Sequence, residues 1–264
     1  MLTEERWVTI CRQQLFIKTW TPGQAAGAPL VLLHDSLGCV GLWRQFPEAL
    51  CQATGRPVIA YDRLGFGQSD ARAGLPTHDF IREEAAVYFP EIKRQLGLEQ
   101  FVVFGHSVGG AMALMIAVQF PESCEAVITE SAQAAVEVQT LAGIRAARAA
   151  FQQPGQLERL KKWHGDKARW VLDAWTEVWL SPEFSDYSLV ADLPRVKCPV
   201  LVIHGSADEY GSRQFPETIA AWVAGSAEMH FLQGVGHVPH KEAAELVLRL
   251  VQEFLHSISA DPQA

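Results

Sequence analysis

The segment Gly105-His106-Ser107-Val108-Gly109 constrains this chain more than any other. It follows the apolar run Phe101–Phe104 directly and opens an almost wholly apolar stretch, Ser107 to Phe120. A G-x-S-x-G placed between a strand and a buried helix has a specific physical use. The glycines let the chain turn sharply without a Cβ clash, and the serine Oγ stands exposed at the C-terminal edge of a sheet. The helix start sets backbone N–H groups and the positive end of the dipole beside it. A merely structural turn shares the spacing but not this context. Ser107 is therefore the expected nucleophile.

A serine hydroxyl needs a base, and the base needs an orienting acid. His237 lies in Gly234-Val235-Gly236-His237-Val238-Pro239, after the run Met229–Leu232 and before the last helical segment. That places it on a loop at the same sheet edge, as general base. Asp208 lies in a loop leaving the run Val200–Ile203 and completes the chain order Ser, Asp, His. Glu209 beside it is expected to point elsewhere. Glu130, after the run Ala126–Ile128, is the rival acid. His240 falls in the first turn of the final helix. The oxyanion needs two N–H donors. Val108, next to the nucleophile, supplies one; Ser36, in the loop His34-Asp35-Ser36-Leu37-Gly38, supplies the other.

Short runs rich in Val and Ile alternate with helical patterns. Leu30–Leu33, Val58–Tyr61, Phe101–Phe104, Ala126–Ile128, Val200–Ile203 and Met229–Leu232 read as strands covered on both faces of a parallel sheet. Trp7–Ile10 and Leu15–Ile17 alternate more and read as an antiparallel leading pair. Helices are expected over Asp79–Leu96, where Pro90 should kink or split the element, over Ser107–Phe120, and over His240–His256. Ser257–Ala264 reads as a fraying polar tail. This is an α/β pattern. From Ser131 to Val196 it breaks: helices are expected over Val136–Phe151, Gln156–Trp163 and Asp166–Leu180, with Trp163, Trp170, Trp175 and Trp179 among them. The segment reads as an insertion over one edge of the sheet.

Composition excludes other classes. Of 264 residues 48% are hydrophobic and 20% charged, as in a globular chain and unlike a disordered one. A net charge of −8 leaves no basic stripe for phosphates, so nucleic acid is not an expected partner. The first residues carry acids and no long apolar core, so no secretory leader is expected. No apolar run approaches the ~20 residues of a membrane span. The five cysteines are widely spaced, without CxxC, and read as reduced cytoplasmic thiols. No close ligand spacing suggests a metal, and no cofactor is expected. The Asp62–Asp70 segment carries two glycines but lacks the P-loop lysine and the GxGxxG spacing, so it reads as a structural turn.

Taken together, the His34–Gly38 loop, the Asp62–Asp70 turn, Gly105–Gly109, Asp208 and His237 resemble the α/β-hydrolase superfamily along essentially the whole chain. The resemblance implies an α/β-hydrolase fold: a mostly parallel sheet flanked by helices, with a helical cap. The core would be residues 1–130 and 197–264 and the cap 131–196. The Ser-Leu-Gly of the oxyanion loop is similar to that of 3-oxoadipate enol-lactonases, although Asp35 stands where the family's HGxxG has glycine.

The implied activity is hydrolysis of a small carboxylic ester or lactone through an acyl-enzyme. Thioester and C–C bond hydrolysis and cofactor-free perhydrolysis use the same residues, and a non-catalytic ligand-binding scaffold is the contrasting class. Relatives that open epoxides or displace halides carry aspartate at the nucleophile position, which is Ser107 here. The partner is a small molecule, with His34, Trp175 and Trp179 as expected substrate-binding residues.

Overall fold

The computed structural model describes residues 1–260. Eight strands form one sheet in the order β1-β2-β4-β3-β5-β6-β7-β8. β1 (Leu2–Ile10) pairs antiparallel with β2 (Gln13–Thr21), and β2 pairs antiparallel with β4 (Val58–Tyr61). β3 (Leu30–Leu33), β5 (Phe101–His106), β6 (Cys124–Glu130), β7 (Val200–Gly205) and β8 (Ala227–Leu232) extend the sheet in parallel from β4.

The continuous apolar runs are explained by burial on both faces, since successive strand residues point opposite ways. Val31, Leu33, Val103, Val127 and Val202 enter one core; Leu32, Phe104, Ile128, Leu201 and Ile203 enter the other. The first core includes α4 (Val108–Gln119), every residue of which is buried except Gln119. Behind the second lie α1 (Phe46–Thr54) and α10 (Ala244–Ala260).

Several expectations shift in detail. The Asp79–Leu96 pattern forms α2 (Phe80–Glu83), a π-helical turn over Glu84–Tyr88, and α3 (Phe89–Leu96). Pro90 cannot donate a helical hydrogen bond, and a widened turn is one way to absorb the missing donor. Past β8, α9 (Pro239–Glu242) is separate from α10, with Ala243 breaking the helix between them. The polar tail does not fray where expected: Ser257–Ala260 continue α10, and 261–264 lie outside the described residues. α1 and α8 (Gln214–Trp222) were not anticipated.

Between β6 and β7 the chain is helical: α5 (Val138–Ala150), α6 (Gln156–His164) and α7 (Ala168–Trp179). This segment packs on loops that leave the strands. Trp170 rests against Gly65 and Phe66, and the Arg44 guanidinium stacks on Trp163. His164 accepts from the Gly67 N–H, and Thr140 Oγ1 donates to the Tyr210 carbonyl. The Asp62–Asp70 turn is structural. The Asp62 carboxylate accepts from the Val40 and Gln68 N–H groups at 2.6 and 2.7 Å, joining β4 to its neighbouring loops. Among the described residues, no helix is long and apolar enough to cross a membrane.

Candidate active site

β5 delivers Ser107 at its C-terminal end. Ser107 adopts φ 56°, ψ −125°, a region that costs a non-glycine residue about 1–3 kcal/mol. The neighbours make this turn possible: a Cβ at Gly105 would collide with the Gly109 carbonyl, and one at Gly109 with the Leu33 carbonyl. The strain aims the hydroxyl at His237. Ser107 Oγ lies 3.0 Å from His237 Nε2, and His237 Nδ1 lies 2.8 Å from both oxygens of Asp208. Asp208 also accepts from the Tyr210 N–H at 2.8 Å, and His204 Nε2 stands 3.3 Å away.

These contacts set the charges. Burial opposes the imidazolium of His237, but the hydrogen bond and charge of Asp208, with Asp35 and Glu209 further off, outweigh it and raise its pKa above 6.5. Burial likewise opposes ionisation of Asp208, yet His237 and His204 hold its pKa below the ordinary aspartate value. Asp208 therefore stays ionised, fixes Nδ1–H on His237 and leaves Nε2 free to accept from Ser107.

The Ser36 and Val108 N–H groups have no backbone partner among the described residues, as oxyanion donors require. Gly38 N–H closes the His34–Gly38 loop by donating to the Asp35 carbonyl at 3.2 Å. A cavity of about 210 Å³ opens on Ser107, Ser36 and His237. Trp175 and Tyr210 form an aromatic wall, their rings 5.7 Å apart, and Tyr210 lies edge-on to His237 at 4.7 Å.

The other expected residues are placed as follows. Trp175 lines the cavity. Trp179 does not: it is 1% exposed and packs on Phe184 and Tyr187. His34 is also away from the cavity wall; its Nε2 accepts from the Arg63 N–H, and its ring packs on Phe66. Glu209 is exposed at the rim of the cavity and makes no hydrogen bond to His237, whose Nδ1 is held by Asp208. Tyr210 and Gln133 were missed. Tyr210 follows Asp208 by two positions, and only the turn made by its N–H to that carboxylate brings its ring back. Gln133 carries no sequence signal.

Glu130, the rival acid, bonds His240 Nδ1 at 2.5 Å and not His237. His106, Glu130 and His240 bring three potential ligand atoms within 4.8 Å of one another, across sequence distances that no local spacing reveals. Glu130 Oε2 is bonded to His240 and His106 Nε2 to the His237 carbonyl at 2.8 Å, while Glu130 Oε1 is buried without a hydrogen-bond partner among the described residues. Burial lowers the His106 pKa to about 4, so it is a neutral donor that props the His237 loop.

Sheet order, strand-to-helix elbow and site geometry together define a hydrolase architecture. The family model for the alpha/beta hydrolase fold matches residues 28–165, just over half of the chain, and the chain belongs to that family. A 97-residue stretch is 39% identical to human 1-acylglycerol-3-phosphate O-acyltransferase ABHD5, covering 35% of this chain but only 26% of that protein. 2-Hydroxymuconate semialdehyde hydrolase of Pseudomonas sp. (strain CF600) is 26% identical, over 92% of both chains. Among solved structures, a bacterial membrane phospholipase A superposes with TM-score 0.80 at 17% identity, covering 98% of this chain and 87% of its own. That similarity shows the fold.

Proposed function

We propose that this chain is a serine hydrolase that cleaves small carboxylic esters or lactones through an acyl-enzyme. The observation that carries the reading is the continuous hydrogen-bonded line from Ser107 through His237 to Asp208, at the wall of a cavity. Ser107 Oγ attacks the carbonyl carbon while His237 Nε2 takes its proton. The oxyanion sits between the Ser36 and Val108 N–H groups. The C–O bond to the leaving group breaks, and His237 returns the proton to that oxygen. Water then gives a proton to His237 and attacks the acyl carbon. The bond to Oγ breaks, and Ser107 regains its hydrogen from His237.

A second reading, hydrolysis of a C–C bond with the same three residues, is favoured by the relative that matches over nearly full length, a hydrolase of 2-hydroxymuconate semialdehyde. In either case residues 131–196 act as a cap, and residues 1–130 with 197–264 as the core. The five unpaired cysteines suit a reducing, cytoplasmic setting.

The test is a panel of p-nitrophenyl esters, lactones, thioesters and a vinylogous 1,5-diketone, run beside Ser107→Ala. Esters or lactones are expected to be the best substrates, with Ser107→Ala lowering kcat by on the order of 10⁵–10⁶. A fluorophosphonate probe should label Ser107, as peptide mapping would show. Equal rates for wild type and Ser107→Ala, or labelling elsewhere, would overturn the assignment. Turnover of the diketone alone would select the second reading.

A further inference from the structure

The loop that carries Asp208 is held by one helix. Between β7 and α8, the carbonyls of Asp208, Tyr210 and Gly211 accept no backbone N–H among the described residues. Side chains of α5 meet them instead. Gln139 Nε2 donates to the Asp208 carbonyl at 2.7 Å and to the Gly211 carbonyl at 3.3 Å. Thr140, fully buried, donates its hydroxyl to the Tyr210 carbonyl at 2.7 Å. Glu137, just ahead of the helix, accepts from the Ser212 N–H and hydroxyl at 3.1 and 2.8 Å. Gly143 lets the helix lie this close: a Cβ there would stand 2.8 Å from both the Glu209 carbonyl and the Tyr210 ring.

The carboxylate is aimed through the same backbone. Asp208 Oδ1 accepts from the Tyr210 N–H at 2.8 Å and meets His237 Nδ1 at 2.8 Å. Gln139 fixes the carbonyl of Asp208 itself, and Thr140 fixes the carbonyl of the residue whose N–H steadies the carboxylate. We propose that Gln139 and Thr140 are positioning residues for the acid, so that the helical segment between β6 and β7 sets the geometry of the base. The proposal rests on the serine-hydrolase reading and adds to it two residues that act through Asp208.

Thr140→Val and Gln139→Met keep the bulk of each side chain and remove its donor. Each should lower kcat on a p-nitrophenyl ester by about tenfold, since a small displacement of a catalytic group is costly. KM should stay within about twofold of wild type, because neither residue binds the substrate. Burial opposes the His237 imidazolium, and Asp208 is the chief group that outweighs it. A looser acid should therefore move the acid limb of kcat/KM to lower pH. Asp35, His106, Glu209 and Tyr210 around His237, and His204 behind Asp208, are unchanged in both variants. Thr140→Ser restores a hydroxyl and should return both kcat and the limb to wild type. Arg148→Ala, which removes the exposed ion pair of α5 with Glu177, should change neither.

Wild-type kcat and an unmoved limb in Thr140→Val and Gln139→Met overturn the proposal. So does an equal displacement of the limb in Arg148→Ala, which would trace the effect to general loosening of α5. If Thr140→Val does not fold, Gln139→Met, at an exposed position, carries the test. If no ester turns over, the rate of fluorophosphonate labelling of Ser107 against pH takes the place of kcat. Slower labelling with the limb at lower pH supports the proposal, and labelling like that of wild type overturns it. Absence of both turnover and labelling in wild type overturns the serine-hydrolase reading itself, and this proposal with it.

Discussion

Two histidine–carboxylate pairs stand side by side at the C-terminal edge of the sheet. In each, an imidazole Nδ1 meets a buried carboxylate: His237 with Asp208, His240 with Glu130. The acids lie just beyond β7 and at the end of β6, and the histidines are three residues apart. What differs is the far side of each ring. His237 presents Nε2 to Ser107 and to a cavity. His240 is enclosed by Trp43, Phe46 and His106, with ring centroids 4.7, 5.3 and 5.0 Å away. A histidine–carboxylate pair is thus not a site by itself; the group on the other nitrogen decides. His106, bonded to the His237 carbonyl, links the pair that holds the loop to the pair proposed to perform the chemistry.

The widest gap between the pairs should appear in rate. Asp208→Asn leaves the shape but favours the wrong tautomer of His237, and kcat should fall by about 10⁴. Glu130→Gln should keep kcat within about tenfold of wild type, because Glu130 touches His240 and not His237. Steady-state kinetics on one ester, with near-ultraviolet circular dichroism to confirm folding, makes the comparison. Equal losses in the two variants would make Glu130 part of the chemistry and dissolve the distinction.

Stability should show the role of the second pair. Glu130 is fully buried, and replacing its carboxylate with a carboxamide removes a charge-assisted bond to His240 in the sheet's second core. Urea denaturation of Glu130→Gln should show a loss of about 1–3 kcal/mol. A midpoint equal to that of wild type would mean that the pair does not hold the loop.

The sequence made one of these pairs legible and hid the other, for a physical reason. Ser107, Asp208 and His237 each follow an apolar strand run, so strand periodicity carries them to one edge without knowledge of long-range contacts. The parallel sheet was readable for the same reason. Glu130 and His240 also fall near strand ends, but their pairing depends on Trp43 and Phe46 closing around His240, which no local pattern encodes. The cavity wall was harder still. Trp175 and Trp179 sit four residues apart on α7, yet one faces the cavity and the other packs on Phe184 and Tyr187, where chain folding after α7 decides. His34 drew attention by position, but its bond to the Arg63 N–H made it part of the turn beneath.

The smallest effect is the most selective. His237 acts as a base only when neutral, so activity is lost as pH falls through its pKa. That pKa is raised, and the acid limb of kcat/KM, which reports the free enzyme, should lie above pH 6.5. Asp208 is the main favourable partner of the imidazolium, with Asp35 and Glu209 adding to it at longer range. Glu209→Gln removes one of those charges from an exposed position and should move the limb to lower pH. The displacement should shrink with added salt, which screens exposed charges. Glu130→Gln should leave the limb where it stands, because the charge of Glu130 is met at close range by His240. A limb that moves with Glu130→Gln and not with Glu209→Gln would mean that the two pairs share one titration through His106, and Glu209 would lose its part in tuning the base.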